Sequence, residues 1–266
     1  MTASIKDVAK EAGVSIATVS RVLNEIDVVN EDTKKKVVEA IAKLGYRPNI
    51  IARSLKTQKT STIGIVIPDI SSQFYPEIVR GAEDVANIYK YNIILCNTDN
   101  DPEKEMEYLH VLKEKMIDGV LYMSSSLEDN IMELINSLQI PMVLVETTDS
   151  KHSLPSVTID NEKAAYDAVQ YLLNNKNKRI AYIGTHEKAI NAGALRYKGY
   201  KKALEDSAIE IDESIVNFGG IKAKDGFDGM NNILKNSKID AVFCSSDEIA
   251  MGAINRSEER RVGKEC

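Results

Sequence analysis

The fold class the sequence predicts is a small all-α helix-turn-helix head followed by an α/β body of two parallel-sheet subdomains. Three observations predict it. Two short helical patterns flank a glycine within residues 4–21, apolar strands alternate with amphipathic helices from residue 60 onward, and charge divides at the same boundary. Residues 1–59 hold 11 Lys+Arg against 7 Asp+Glu, whereas the remainder holds 23 against 33. A basic head on an acidic body concentrates phosphate attraction at one end of the chain.

In the head, Ser4 is placed to cap the first helix, with Asp7 completing a capping box and Val8, Ala9 and Ala12 forming an apolar stripe. Gly13 marks a sharp turn, and Ser15 restarts a helix as its cap. In a helix-turn-helix the second helix enters the DNA major groove with its first turn at the bases. Here that turn is Ile16, Ala17 and Thr18, with Arg21 one turn further along. Arg21 can read a guanine bidentately, while Ile16 and Ala17 offer only apolar contact or shape. A third helix is predicted over Glu31–Leu44, capped by Asn30 and stopped by Gly45. Its face of Val37, Val38, Ile41 and Leu44 should close a small core over Val8, Val19 and Val22. Lys34, Lys35 and Lys36 read equally as phosphate contacts or as a solvated helix face. Pro48 then ends the preceding structure, and Ile50–Lys56 is a helical pattern too short to hold by itself.

The body opens with the apolar runs Ile63–Ile67, Asn92–Cys96, Gly119–Met123 and Met142–Val145. Amphipathic stretches at Pro76–Tyr89, Glu103–Lys115 and Glu128–Leu138 separate them. A second set starts at Asn161, with strands near Arg179–Ile183, Ser214–Val216 and Ala241–Cys244. Strands spaced by helices imply right-handed crossovers and parallel sheets covered on both faces. Two such sheets flanking a cleft make a periplasmic-binding-protein-like body, whose ligands bind outside the carboxyl ends of the strands.

The run Ile5–Asn24, the element Gly45-Tyr46-Arg47-Pro48-Asn49, and Ala52 with Leu55 resemble the lac repressor / galactose repressor family of transcription regulators. The resemblance implies a homodimer on pseudo-palindromic double-stranded operator DNA. It implies Ser4, Ser15, Ile16, Ala17, Thr18, Ser20, Arg21, Asn24, Asn49, Ala52 and Leu55 as DNA-binding residues. It further implies that the segment after the head is a hinge that becomes helical on the operator. Leu55 of each subunit would then wedge into the minor groove, with the small Ala52 letting the paired hinges approach. Such a wedge unstacks one base step and kinks the duplex, exposing more DNA to the protein. Taken by itself, Leu55 also reads as a core residue of a linker.

The body extends the resemblance through Ile67-Pro68-Asp69-Ile70-Ser71, Phe74-Tyr75, Arg80-Gly81, Glu83-Asp84, Tyr89–Leu95, Pro155–Asp160 and Ser246-Asp247-Glu248. These are similar to the catabolite-control branch of the family. That branch takes as corepressor the serine-phosphorylated histidine-containing phosphocarrier protein of sugar uptake. The resemblance implies Glu77, Arg80, Asp84 and Tyr89 as corepressor-binding residues, and helical spacing does bring Glu77, Arg80 and Asp84 to one side. A solvated helix face is the plainer reading. Sugar-sensing relatives imply Phe74, Glu146, Asp160, Arg196 and Asp247 as effector-binding residues, with sugar phosphates as candidate ligands. A forked guanidinium among carboxylates suits polyols, although strand-end salt bridges are the commoner use of such residues.

Composition narrows the alternatives. His110, His152 and His186 lie far apart with no ligand spacing around them, so neither a metal nor another cofactor is expected. Cys96 and Cys244 end apolar strands and are expected as buried free thiols, and the glycines at 219, 220, 226 and 229 as loop turns. No nucleophile–base signature is present, so an enzyme is not expected. Without a signal peptide or an apolar run of 18 residues, the expected setting is cytoplasmic, with no membrane partner. The expected organisation is a DNA-binding domain over 1–48, a hinge over 49–59, and an effector- and corepressor-binding domain over 60–255. Residues 256–266 are expected to be a non-native tail resembling a translated sequencing adapter, leaving the second subdomain incomplete. The expected function is a repressor or dual regulator of carbohydrate catabolism modulated by the phosphocarrier; the alternative is a sugar-responsive repressor released from DNA by a small molecule.

Overall fold

The computed structural model describes residues 3–24, 29–47, 59–124, 127–149, 153–186 and 191–265, with side chains to Glu258. The chain forms two compact units, Met1–Thr60 and Ser61–Cys266.

The first unit contains α1 (Ile5–Ala12), α2 (Ile16–Leu23) and α3 (Glu31–Leu44). The capping box forms: the Ser4 backbone N–H and Oγ donate to Asp7 Oδ2 at 2.8 and 2.7 Å. These bonds hold the Asp7 carboxyl below its ordinary pKa. Gly13 (φ +66°) and Gly45 (φ +59°) end α1 and α3 in the left-handed region, where a side chain would be strained. Val8, Ala9, Val19, Val22, Val37 and Ala40 form the buried centre. Val38 departs from expectation, since it is 52% exposed. At 100° per residue it points away from Val37, whereas Ala40 points inward with Ile41 and Leu44.

The second unit begins with β1 (Thr62–Ile67), α4 (Phe74–Ile88), β2 (Asn92–Asn97), α5 (Pro102–Glu114), β3 (Gly119–Tyr122), α6 (Asp129–Leu138), β4 (Met142–Val145) and β5 (Ser156–Val157). Their five strands pair in the order β2-β1-β3-β4-β5, all parallel. One face of this sheet packs on α5 and α6 through Leu109, Leu112, Ile131 and Ile135, and the other on α4 through Ile78, Val79 and Ala82. Next come α7 (Asn161–Asn174), β6 (Ile180–Gly184), α8 (Ala192–Asp206), β7 (Val216–Phe218), α9 (Ala223–Asn236), β8 (Ala241–Cys244) and α10 (Asp247–Glu265). The second sheet is parallel in the order β7-β6-β8, with α7 and α8 on one face and α9 and α10 on the other.

Three local expectations change. The strand expected over Ser214–Val216 is β7, shifted to Val216–Phe218, because Glu213–Ile215 is a short 3-10 turn whose Ser214 N–H is capped by Asp212. Gly226 and Gly229 are not loop turns but buried members of α9. Cys244 is only partly buried, whereas Cys96 is buried. The helix opened at Asp247 runs through the segment expected as a tail to Glu265, and Arg256 Nε donates to Asn231 Oδ1 at 2.9 Å.

Candidate DNA interface and body cleft

The capping residues of α2 turn its readers outward. Ser15 Oγ accepts from Thr18 N–H at 3.1 Å and shares a 2.9 Å hydrogen bond with Thr18 Oγ1, which fixes the first turn. Val19 and Val22 point into the core. At 100° per residue, Ile16, Ala17, Ser20, Arg21 and Asn24 then share the opposite arc of about 140°. Ile16 is 45% exposed and Arg21 is exposed, with no ion pair among the described residues. Asn24 Nδ2 returns to Ser20 O at 2.7 Å and closes the helix end. Ser4 and Ser15 thus serve as caps, Thr18 is the residue Ser15 caps, and α2 presents an apolar start followed by one guanidinium free of ion pairs among the described residues. Asn49, Ala52 and Leu55, expected as DNA-binding residues of a hinge, lie outside the described residues.

In the body, the structure brings Glu146 and Arg196 together from the two subdomains. Glu146 follows β4 at φ +59° and Arg196 lies on α8. Arg196 Nη2 stands 3.9 Å from Glu146 Oε2. The rest of the guanidinium is held firmly, Nε donating to Asn161 Oδ1 at 2.8 Å and Nη1 to Ser245 O at 2.7 Å. Tyr75 completes the group: burial first, and then the Glu146 charge, pushes its hydroxyl up to about 12. Phe74 is 46% exposed and meets Tyr75 edge-on, ring centroids 5.3 Å apart. Asp160 spends Oδ1 on the Lys163 N–H as the cap of α7, and Asp247 is exposed at the start of α10. Asn161, Tyr75 and Ser245 were missed by the sequence reading. Asn161, 2% exposed, looks in sequence like an ordinary helix start, and only its adjacency to Asp160 marks it.

A separate concavity of about 580 Å³ between α7 and α8 is lined by Asp160, Glu162, Lys163, Tyr166, Lys202 and Asp206. Its groups satisfy one another, Lys163 with Asp167, Lys202 with Glu162, and Tyr166 with Asp206. The cleft, with groups converging from two subdomains, is the better candidate for a ligand.

On α4, Arg80 stands 3.9 Å from Glu83 and 3.7 Å from Asp84, all three well exposed. Glu77 precedes them by one turn, and Tyr89, 71% exposed, is the C-cap of the helix. The charged end of this face gives way to an apolar end of Val85, Ile88 and Tyr89, beside which Leu95 is exposed on edge strand β2.

The family model for the bacterial regulatory proteins of the lacI family matches residues 4–49. That for periplasmic binding proteins and the sugar binding domain of the LacI family matches residues 60–262. The chain belongs to the LacI family. The HTH-type transcriptional regulator RegA of Clostridium acetobutylicum is 67% identical over 265 residues, covering 98% of this chain and 79% of that protein. Catabolite control protein A of Priestia megaterium is 44% identical over 262 residues, with the same coverage of each chain. Among solved structures, the lac repressor dimer bound to operator and the anti-inducer ONPF superposes with a TM-score of 0.86. It covers 98% of this chain and 78% of that one at 23% identity, which shows a shared fold. A lacI-family regulatory head joined to a LacI-family body makes the chain a DNA-binding transcription regulator rather than an enzyme. Among the described residues no cluster of His, Cys, Asp or Glu could hold a metal ion, and no helix is long and apolar enough to cross a membrane.

Proposed function

We propose that this LacI-family regulator acts as a homodimer on a pseudo-palindromic operator and controls carbohydrate catabolism. The observation that carries the reading is the outward arc of α2, where Arg21 stands free beside Ile16 and Ala17. Support comes from the two relatives, named a transcriptional regulator and a catabolite control protein, and from the dimer on operator DNA that shares the fold. Two heads in a two-fold dimer demand two matching half-sites. The apolar end of α4, with Leu95 beside it, is the surface suited to the second subunit. The charged end, Glu77, Arg80 and Asp84, is assigned to the serine-phosphorylated phosphocarrier protein, with Tyr89 at the apolar end standing at the border of the two surfaces and in reach of both partners. Ligand in the cleft, a sugar or sugar phosphate held by Phe74, Glu146, Asp160, Arg196 and Asp247, biases the same equilibrium through the hinge. Within the hinge, Asn49 and Ala52 set the approach to DNA and Leu55 supplies the wedge.

Arg21→Ala tests the assignment. It should cost roughly 1–3 kcal/mol on the cognate site and relax one base position. An equal loss on cognate and random DNA would refute direct readout. Titrating the operator complex with the phosphorylated partner, and separately with sugar phosphates, distinguishes corepression from release by a small molecule.

A further inference from the structure

Ser61 is the first residue of the second compact unit and immediately precedes β1, so the chain from the head enters the body through it. Its φ of +49° lies in the left-handed region, which a residue with a Cβ rarely occupies. Lys90, Met116 and Gln139 share that region, but each closes a helix, where a left-handed residue is an ordinary ending. Ser61 has no such local reason, since Lys59 and Thr60 before it are not helical. Its side chain is exposed, so core packing does not explain the conformation either. Strain that the surroundings impose without local gain points to function.

The strands on either side impose it. β1 runs between β2 and β3, and the entry of each supplies one gripping residue. Beside β3, Asp118 Oδ2 accepts the Ser61 N–H at 3.0 Å, while the Asp118 N–H donates to Thr62 O at 2.8 Å. From β2, the Asn92 N–H donates to Ser61 O at 2.8 Å, and Asn92 Nδ2 lies 3.5 Å from the same oxygen. The peptide groups on both sides of the Ser61 Cα are thus held, and with them its φ and ψ.

We propose that Asp118 is a positioning residue for DNA binding. With Asn92 it holds Ser61 in a left-handed turn that fixes the direction in which the chain leaves the body toward the head. Two heads with fixed exits meet two half-sites with less orientational freedom to lose, so the second head binds at a raised effective concentration. This role rests on the reading of the chain as a homodimer on a pseudo-palindromic operator.

The test compares two duplexes bound by the full chain. One is selected from random DNA by the wild type, and the other is the same duplex with one half-site scrambled. The wild type should prefer the intact duplex. Asp118→Ala should weaken binding to the intact duplex by roughly tenfold and leave the scrambled one unchanged. Asp118→Asn keeps an acceptor for the Ser61 N–H and should bind both duplexes as the wild type does. Ser61→Val keeps Asp118 but resists the left-handed turn, because a β-branched residue disfavours positive φ. It should copy Asp118→Ala, and the double variant should lose no more than either single one. Since Ser61→Val alters only an exposed side chain, it keeps the test open should Asp118→Ala fail to fold. Unweakened binding to the intact duplex, an equal loss on both duplexes, or losses that add in the double variant would each overturn the positioning role. A wild type that binds the two duplexes alike would instead sink the two-headed reading, and the role with it.

Discussion

Glu105 shows at the scale of one residue how burial sets chemistry. It is 3% exposed on α5, accepting from Tyr122 Oη at 2.7 Å and from Ser124 Oγ at 2.9 Å. Burial raises its carboxyl above the ordinary 4.5, the two hydroxyls oppose the rise, and Glu128 and Asp101 add to it. The folded chain therefore holds this proton more tightly than the unfolded chain does. The contribution to stability is present below about pH 4.5 and is lost as pH rises through the raised folded value. Glu105→Gln keeps an acceptor for Tyr122 and cannot titrate. The variant should melt above the wild type at neutral pH, with the gap closing as pH is lowered toward 4.5. A gap independent of pH would show that Glu105 does not titrate differently on folding. The thiols of Cys96 and Cys244 are each pushed up to about 11 by burial, which makes both poor nucleophiles. Arg196 was legible as a strand-end cation, but its clamp by Asn161 and Ser245 was not, because those partners are 35 and 49 positions away.

At the scale of elements, glycine decides how closely helices pack. A Cβ on Gly199 would lie 2.1 Å from the Glu162 carbonyl oxygen, so α8 could not rest where it does on α7. Gly226 and Gly252 do the same for α9 and α10, with clashes of 2.0 Å to Ile249 O and 1.7 Å to Ala223 O. Gly199→Ala should destabilise the body by about 1–3 kcal/mol, read as a lower urea midpoint. A midpoint unchanged from wild type would mean that α7 and α8 can slide apart without cost. Helix ends were legible in advance because a cap is a local event: the Ser4–Asp7 box, the Asn30 cap and the Gly45 stop each involve residues within three or four positions. The interior glycines were misread because their reason for being glycine is a distant neighbour, Ile249 of the next helix for Gly226 and Asn217 and Ile183 of the sheet for Gly229. Val38 was misread for a related reason, since periodicity gives a face but not its width.

The whole molecule combines a basic head with an acidic body, and the split in charge falls where the chain divides into two compact units. Subunit pairing is a property of this scale. Val85, Ile88 and Tyr89 on α4, with Leu95 on β2, leave apolar area exposed beside an unpaired sheet edge, the kind of surface a second copy covers. Ile88, 75% exposed, should tolerate replacement by Glu in the monomer. Ile88→Glu should therefore halve the mass found by sedimentation and weaken operator binding far more than it weakens folding. A variant that stays dimeric would place the subunit contact elsewhere.

Sequence by itself determined the caps, the tight turns of the head, the alternation of strands and helices along the chain and the charge partition. All of these follow from interactions between near neighbours or from repeating patterns. Only the tertiary structure decided which strand-end residues converge and that Asn161 and Ser245 hold Arg196. Such pairings depend on how two sheets are set against each other, and that arrangement emerges from packing summed over the whole body.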